Sequence, residues 1–429
     1  MNISLLTIGT LGDIQPFTAL ALGLKELGHR VTMTVPVNLE SYVKPFQIPY
    51  HLLALNTQEL LESESGQRWM ASGNVKEFMK ELNAIAHRNR YDAQEVILTA
   101  CQDCDLIIVH PLLLFYAATV AEKLNKPFML ANTFPMAPAT REFPHFLVSV
   151  KSLPLGSLNK FTHRLFAKVF EKGKAADMNE WRSKLGLKPL QGSLFRKMTE
   201  QRIPVLHMYS PALVPHPADW GDHNFVTGQW KMADKYRPQQ TVTESDDQLE
   251  QWLARGEAPV YFGFGSLPVL EPLKMIEMIR EIAITLNKRA IIASGWSSMA
   301  VSTPLPDSVI MIRSAHHESL FPRCSVVIHH GGVGTTHTAL ESGTPSIICS
   351  TYADQPFWGE RITKLKIGRH IPFPKLTKEN LSQAIQALDH EGVRIRAAEI
   401  AKRVKAEQGL KNALNWIEKQ ARTAPVYKN

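Results

Sequence analysis

Apolar residues follow strand-like and helix-like periods in turn from the first residues of the chain. Residues 3–8 (ISLLTI) form an apolar run typical of a buried strand. One face of the helix predicted at 14–27 carries apolar side chains, namely Ile14, Phe17, Leu20, Leu24 and Leu27. Gly28 suits the end of that helix, and a strand pattern resumes at 30–35 (RVTMTV). This order predicts a βαβ unit of the parallel-sheet type.

The same alternation continues in two series separated by a polar segment. The first series adds predicted strands at 105–110, at 127–131 and near 203–208. The segment 235–248 (KYRPQQTVTESDDQ) has no apolar period and predicts an interdomain linker. After it come strand patterns at 259–265, 289–294, 308–313, 325–330 and 344–350, with helices near 271–287, from about 335 and from about 356.

These patterns predict an α/β protein with two doubly wound, Rossmann-like domains. The N-terminal domain would span 1–234 and the C-terminal domain 249–429. A helix at about 411–429 can pack back on the first domain. Ligands of such domains bind at the carboxyl ends of the strands, so two facing domains would form a deep cleft.

Composition agrees with a protein that buries a sizeable core. The 429 residues are 44% hydrophobic and 21% charged, and no apolar run reaches the ~18 residues of a membrane span. The start of the chain, MNISLLTIGT, resembles a strand rather than a signal peptide. Cys101 and Cys104 form a CxxC without a second pair, which indicates reduced, structural cysteines. We therefore expect a cytoplasmic protein.

Positive charge is concentrated in one segment. The net charge is +8, and residues 151–202 alone contain twelve Lys and Arg against four Asp and Glu. Within it, apolar residues at helical spacing alternate with cations: Leu158, Phe161, Leu165 and Val169 with Lys160, Arg164 and Lys168. Such a helix can contact an anionic membrane surface, or it can be a solvated helix that covers the domain. No nucleic-acid-binding module accompanies the charge, so nucleic acid is not an expected partner.

The sequence HHGGVGTT at 329–336 carries the clearest chemistry. An apolar strand runs into His329 and His330, and three glycines then lead to a helix that begins near Thr335. A glycine-rich turn at a helix N-terminus presents free N–H groups to an anion, and a diphosphate is its natural ligand. The alternative is a turn needed only for tight helix–strand packing. No Lys follows the glycines as in a Walker loop, and no G-x-G-x-x-G opens either half.

The next strand delivers the segment TYADQPFWG to the same edge of the predicted sheet. Asp354 and Gln355 stand side by side there, and together they suit two or three sugar hydroxyls. Because Pro356 fits the first turn of a helix, either residue could instead cap that helix.

The first loop, GTLGDIQP at 9–16, contains the only ionisable side chain before Lys25, which is Asp13. Asp13 can be the N-cap of the following helix, or a general base at the mouth of a ligand cleft. His110, at the end of the strand 105–110, can orient Asp13 or be an ordinary buried histidine.

The signature HHGGVGTT…SGTP…DQPFWGERI resembles the nucleotide-sugar site of family 1 glycosyltransferases of the GT-B fold. The resemblance extends along nearly the whole chain and is closest to the sterol 3-beta-glucosyltransferases. Other segments that carry it are 8–31, 133–146, 179–190, 209–230 and 261–268. It implies an acceptor-binding N-terminal domain and a donor-binding C-terminal domain that face each other across a cleft.

The resemblance also implies roles for individual residues. On the donor side it assigns the UDP diphosphate to His330 and to the backbone of Gly332, Val333, Gly334, Thr335 and Thr336. It further implies that Gly12 contacts the donor and that Ser266 contacts a phosphate. The uridine would contact Ser294, Trp296, His316 and His317, and the sugar would contact Asp354 and Gln355. On the acceptor side it implies Phe134, Met136 and Phe143. Thr338 stands where the plant small-molecule members have Glu, so the contacts with the base and ribose must differ in detail.

The expected reaction is an inverting transfer of a hexose, glucose above all, from UDP-glucose to a hydroxyl of a sterol-like lipid alcohol. Asp13 would be the general base, and the scheme requires neither a metal nor a cofactor. Alternative acceptors are a macrolide, a flavonoid or another hydrophobic natural product. A nucleotide-sugar binding protein without transfer activity is the alternative from another functional class.

Overall fold

The chain folds into two α/β units, each built around its own parallel sheet. The computed structural model describes residues 1–56, 59, 63, 66, 75–148, 155–237, 244–264, 272–293, 304–314 and 316–429. The first unit comprises Met1–Leu60, Lys76–Arg237 and Glu407–Asn429, and the second comprises Leu61–Val75 and Pro238–Ala406.

The first unit contains a seven-stranded sheet in the order β3-β2-β1-β4-β5-β6-β7, with every pair parallel. Its strands are β1 Asn2–Leu6, β2 Arg30–Pro36, β3 Tyr50–Leu53, β4 Leu106–Val109, β5 Phe128–Asn132, β6 Val205–His207 and β7 Asn224–Val226. The helices are α1 Leu11–Glu26, α2 Glu40–Val43, α3 Val75–Arg88, α4 Arg90–Cys101, α5 Leu114–Leu124, α6 Gly156–Lys184 and α7 Leu194–Glu200. The strands are almost wholly buried, as expected when helices cover both faces of a parallel sheet.

The second unit contains a six-stranded parallel sheet in the order β10-β9-β8-β11-β12-β13. Its strands are β8 Val260–Gly263, β9 Ala290–Ala293, β10 Val309–Ile312, β11 Val326–His329, β12 Ser346–Ser350 and β13 Gly368–Pro372. The helices are α8 Glu244–Ala254, α9 Pro272–Leu286, α10 His317–Leu320, α11 Val333–Ser342, α12 Gln355–Lys364, α13 Lys378–Leu388 and α14 Glu391–Ala406.

The fold class predicted from the sequence, two doubly wound α/β units, is confirmed. The strand order reverses between β1 and β4 in one sheet and between β8 and β11 in the other. At such a switch point the connections leave in opposite directions and open a crevice at the carboxyl ends of the strands. The strand order therefore identifies one edge of each sheet as the place to look for a ligand site.

One local prediction differs from the structure. The segment 235–248 was expected to be a linker, but α8 already begins at Glu244 within it. Three of the four residues in the sequence ESDD at 244–247 are acidic, and acidic residues favour the start of a helix through its dipole. The last part of this polar segment is therefore the start of a helix rather than part of a linker.

The last helix, α15 Gly409–Ala421, belongs to the first unit and packs against α1. Ala413 and Ile417 are fully buried in the core shared with that helix. Gly23 of α1 permits the approach, because a β-carbon there would lie 2.7 Å from Leu414 Cδ1. The end of the chain therefore helps to hold the helix that follows the first loop.

No helix among the described residues is long and apolar enough to span a bilayer. The four cysteines, Cys101, Cys104, Cys324 and Cys349, are buried and form no disulfide.

The packing of α15 gives a test of the first unit. Replacing Ile417 by Ala removes a buried side chain and should lower the free energy of unfolding of that unit by about 2–5 kcal/mol. Peptide-resolved hydrogen exchange of the full chain should show faster exchange in α1 and β1, with β11 and β12 unchanged. Ile395→Ala, at a residue of α14 that is 52% exposed, is the matched control. Equal exchange of α1 in both variants would contradict the packing role of α15.

Candidate active site

Asp13 lies in the first turn of α1, but not at the position expected of an N-cap. The N-cap is Thr10, and Asp13 is the third residue of the helix. The Thr10 backbone N–H donates to Asp13 Oδ2 at 2.8 Å, and the Thr10 hydroxyl donates to the same oxygen at 3.2 Å. The N-cap prediction for Asp13 is therefore wrong by three residues: Asp13 is the acidic partner of a capping box.

Glycines on both sides of Thr10 leave room around this carboxylate. Gly9 has φ +124°, and a β-carbon there would overlap the Asp13 carboxyl group. Gly12 is exposed in the first helical turn, and the atom nearest to a β-carbon on it would be Thr10 Oγ1 at 3.7 Å. The loop thus holds Asp13 close to its own backbone and leaves Gly12 facing solvent.

The other oxygen of Asp13 faces two residues from neighbouring strands. His110 follows β4, and its Nε2 lies 3.3 Å from Asp13 Oδ1. Thr133 follows β5, and its hydroxyl donates to the same Oδ1 at 3.5 Å. His110 Nε2 and Thr133 Oγ1 are also hydrogen-bonded, at 3.3 Å. Because β1, β4 and β5 are adjacent, residues 97 and 120 positions away in sequence meet Asp13 at one edge of the sheet.

The hydrogen bonds of His110 assign its tautomer. The Leu112 backbone N–H donates to His110 Nδ1 at 3.4 Å, so in the neutral ring the proton lies on Nε2. His110 is fully buried, whereas the Asp13 side chain is 20% exposed. The arrangement therefore presents a carboxylate to solvent with one oxygen in the helix cap and the other facing an N–H. Such a group can accept a proton from a bound hydroxyl.

Of the three residues expected on the acceptor side, one lies beside this group. The Phe134 ring stands edge-on to His110, with ring centroids 6.1 Å apart, and it is half-buried. Met136 is buried, and buried Phe143 packs against His163 and Trp220. Contact of Met136 and Phe143 with an acceptor stays a prediction.

In the second unit, β11 leads through His330 and two glycines into α11. Gly331 has φ +95°, and a β-carbon there would lie 2.5 Å from Ile348 Cγ2. Its N–H donates to His329 Nδ1 at 3.1 Å. Gly331 and His329 thus build the turn, which confirms the packing interpretation for this one glycine.

His330 lies over the N-terminus of α11. A β-carbon on Gly332, the N-cap of that helix, would be 2.7 Å from His330 Nε2. Burial, with a smaller contribution from nearby His317, lowers the pKa of His330 to about 4. The ring is therefore neutral near pH 7, and its Nδ1 is buried without a hydrogen-bond partner among the described residues.

Packing does not explain the last glycine of the motif. Gly334 is the second residue of α11, and no described atom lies within 4 Å of where its β-carbon would be. The N–H groups of Val333, Gly334 and Thr335 have no partner within the helix, because they belong to its first turn. These N–H groups and the nearby His330 ring lie at the positive end of a ten-residue helix. This geometry suits a phosphate group.

Asp354 and Gln355 lie at the carboxyl end of β12, the strand beside β11. Gln355 Oε1 accepts hydrogen bonds from the backbone N–H and the hydroxyl of Thr351, both at 2.8 Å. Asp354 Oδ2 accepts from Trp358 Nε1 at 2.5 Å. Both side chains therefore stabilise the loop before α12 and its first turn. Asp354 is the N-cap residue of α12, but its side chain makes no capping hydrogen bond, so the capping alternative is only partly met. The contact of Asp354 and Gln355 with a sugar stays a prediction.

The residues expected at the uridine are described only in part. His317 stacks on Phe321 at 4.5 Å, and its Nε2 is 3.0 Å from the Tyr261 hydroxyl. Burial lowers its pKa to about 4. His316 is the exposed N-cap of α10. Ser266, Ser294 and Trp296 lie outside the described residues.

Sequence reasoning missed two residues that shape these sites. Thr133 contacts both Asp13 and His110, and His329 holds the glycine turn. Each lies directly at the end of a strand. That position could have identified both as candidate site residues from the sequence, because ligands bind at the carboxyl ends of parallel strands. Within the described ranges, no group of three or more His, Cys, Asp or Glu side chains could hold a metal ion.

Two family models match the chain. The N-terminal domain of glycosyltransferase family 28 matches residues 3–144. The C-terminal domain of erythromycin biosynthesis protein CIII-like matches residues 276–411. The first match covers Asp13, His110 and Thr133, and the second covers the His330 loop.

Curated relatives match over almost the whole chain. Sterol 3-beta-glucosyltransferase UGT80B1 of Arabidopsis thaliana is 32% identical over 97% of this chain and 67% of that protein. A sterol 3-beta-glucosyltransferase of Aspergillus fumigatus is 31% identical over 97% of this chain. The chain spans 67% and 66% of two such plant relatives, and 30% of the A. fumigatus protein.

Solved structures share the fold at low sequence identity. The glycotransferase of kitacinnamycin has a TM-score of 0.68 at 17% identity, with 98% of this chain and 99% of that chain covered. CalG4, the calicheamicin glycosyltransferase, has a TM-score of 0.68 at 16% identity, with 99% of each chain covered. With its two doubly wound units and with relatives that match over 97–99% of its own length, the chain belongs to the glycosyltransferases of the GT-B fold, in the family of the sterol 3-beta-glucosyltransferases.

Proposed function

We propose that this chain transfers glucose from UDP-glucose to the hydroxyl of a sterol-like lipid alcohol, with inversion at the anomeric carbon and Asp13 as general base. The observation that carries the proposal is the Asp13 carboxylate. It lies at the switch point of the first sheet, partly exposed, with His110 Nε2 and the Thr133 hydroxyl at one of its oxygens.

The proposed chemistry is a single displacement. The acceptor oxygen attacks the anomeric carbon from the face opposite UDP while its proton passes to Asp13. The new bond joins that oxygen to the anomeric carbon, and the bond from this carbon to the UDP oxygen breaks. UDP leaves with the electron pair, so no second carboxyl group has to protonate it.

The residues of the second unit would meet the charge of the leaving UDP. The first turn of α11 offers backbone N–H groups and the positive end of the helix dipole. The His330 ring adds an Nε2 that lies beside the same turn, and its Nδ1 is buried without a hydrogen-bond partner among the described residues. Donors fixed in place before the reaction stabilise charge that develops as the bond breaks.

The acceptor class is supported by the relatives. Relatives that match over 97% of this chain are named sterol 3-beta-glucosyltransferases. Phe134 offers an aromatic face next to His110, which suits a flat apolar ring system. We propose that the sugar-contact residues are Asp354 and Gln355, with one oxygen of each also used to hold the loop.

The role of Asp13 is tested by Asp13→Asn. One amide atom can still accept from the Thr10 N–H, but the residue no longer takes a proton, so kcat should fall by about 10²–10⁴-fold. The measurement is hexose transfer to a sterol by mass spectrometry, together with UDP affinity by calorimetry, which should stay unchanged.

A second capping box gives the matched control for this variant. Asn380 is the third residue of α13 and is the capping-box partner of Thr377, as Asp13 is of Thr10. Asn380→Ala should reduce stability and leave kcat unchanged. If Asp13→Asn retained full activity, Asp13 would be a capping residue and not the base.

His110 is proposed as a positioning residue. His110→Ala should lower kcat by about 10–100-fold because the Asp13 carboxylate loses a partner that orients it. His110→Gln should restore part of the rate, since a glutamine amide can donate to Asp13 from a similar place. Equal loss in both variants, accompanied by a loss of thermal stability, would indicate a purely structural histidine.

Gly334→Ala separates the donor role of the glycine turn from packing. The new methyl group meets no described atom, so the substitution should leave stability unchanged or raise it by about 0.4–1 kcal/mol. It would fill the space assigned to the diphosphate and should weaken UDP binding tenfold or more, about the loss of one hydrogen bond to a charged group. Gly392→Ala, at the second position of α14, is the matched control. Unchanged UDP affinity in Gly334→Ala would place the diphosphate elsewhere.

A further inference from the structure

Helix α6 has two dissimilar faces along its first four turns. Its inner face is buried and contains Asn159, His163 and Phe170. Its outer face contains Leu158, Phe161, Leu165 and Val169, which follow helical spacing and are 43–59% exposed. Leu155, directly before the helix, extends this stripe and is 60% exposed. We call these five residues the α6 stripe.

The stripe is not a consequence of a loosely held helix. On the inner face, Phe166 stacks on His145 at 3.8 Å and on Phe170 at 5.2 Å. Near the other end, fully buried Arg182 donates to Glu122 Oε2 of α5 at 2.9 Å. These contacts fix the rotation of the helix about its axis. The apolar stripe is therefore on the exposed face because the opposite face is packed against the unit.

Cations lie along one flank of the stripe. Arg164 and Lys168 are exposed, at i+3 from Phe161 and Leu165 respectively, and they form no ion pair with any described residue. Lys160 is partly neutralised by Asp219 at 3.5 Å. Residues 156–170 contain no Asp or Glu. The exposed surface of this half of the helix is therefore apolar and positive.

The same helix also borders the acceptor side of the first unit. The Phe166 ring is 6.3 Å from Phe146, Phe146 is 4.8 Å from Phe134, and Phe134 is 6.1 Å from His110. A continuous series of aromatic rings thus connects the back of the stripe with the Asp13 group.

From this placement we propose that the α6 stripe and its cations dock on the surface of an anionic lipid bilayer. Apolar side chains of an amphipathic helix enter the boundary between headgroups and acyl chains, and the flanking Lys and Arg contact anionic headgroups. A protein partner would need an apolar surface that fits the stripe and acidic residues placed along one side of it. An anionic bilayer offers an apolar interior and negative headgroups over its whole surface. The proposal that α6 binds a bilayer does not depend on sugar transfer. The further idea that this binding brings a membrane-dissolved acceptor near Phe134 does rest on the proposed function.

Vesicle flotation of the full chain tests the proposal. The chain should bind vesicles of phosphatidylcholine with phosphatidylserine, bind phosphatidylcholine vesicles more weakly, and be released as salt is raised. Phe161→Ser/Leu165→Ser and Arg164→Glu/Lys168→Glu should each lower the partition coefficient at least about tenfold, because each removes one of the two contributions.

Matched variants elsewhere control for hydrophobicity and net charge. Leu273→Ser/Ile395→Ser changes two apolar residues of similar exposure, and Lys402→Glu/Arg403→Glu makes the same change in charge on α14. Both controls should bind vesicles like the parent. The proposal is overturned if the parent shows no preference for anionic vesicles, or if the α6 variants bind as well as the controls. It is also overturned if the stripe variants instead abolish a concentration-dependent dimer seen by sedimentation without lipid.

Discussion

The Asp13 carboxylate is shared between its own helix and the neighbouring strands. One oxygen accepts the Thr10 N–H inside the first turn of α1, and the other faces His110 and Thr133. Local hydrogen bonds alone would make Asp13 a capping residue. The non-local contacts fix the direction of the second oxygen, in a side chain that is 20% exposed as a whole. They exist only because the strand order places β4 beside β1 and β5 beside β4.

The second unit uses the same topology for a different charge. Its switch point lies between β8 and β11, and there the chain places glycines and a helix N-terminus rather than a carboxylate. A β-carbon at Gly331 would collide with Ile348, whereas a β-carbon at Gly334 would have no described atom within 4 Å. A pKa of about 4 keeps His330 neutral, so in the proposed function it is a hydrogen-bond donor to a phosphate rather than a fixed cation. One fold thus places a partly exposed carboxylate at the switch point of one unit and glycines with a helix N-terminus at that of the other.

Most of the fold could be predicted from the sequence because buried parallel strands are continuous apolar runs. The predicted strands of both sheets are present, and the unpredicted β3, β7 and β13 are edge strands with mixed polarity. The register of Asp13 could not be predicted, because Thr and Asp are both good N-cap residues and either Thr10 or Asp13 could begin the helix. The Thr133 contact and the burial of Phe143 depend on distant segments. The stripe of α6 was visible as a pattern, but its direction was known only once the helix was packed.

The identity and configuration of the product test the central claim most directly. The parent chain is incubated with UDP-glucose and a panel of sterols, macrolides and flavonoids, and products are identified by mass spectrometry and by the anomeric coupling in proton NMR. The account predicts a sterol carrying one glucose in β linkage, the inverse of the α linkage in the donor. An α-linked product would contradict the single displacement at Asp13. Tight binding of UDP-glucose with no product from any acceptor would contradict the transfer itself and indicate a nucleotide-sugar binding protein.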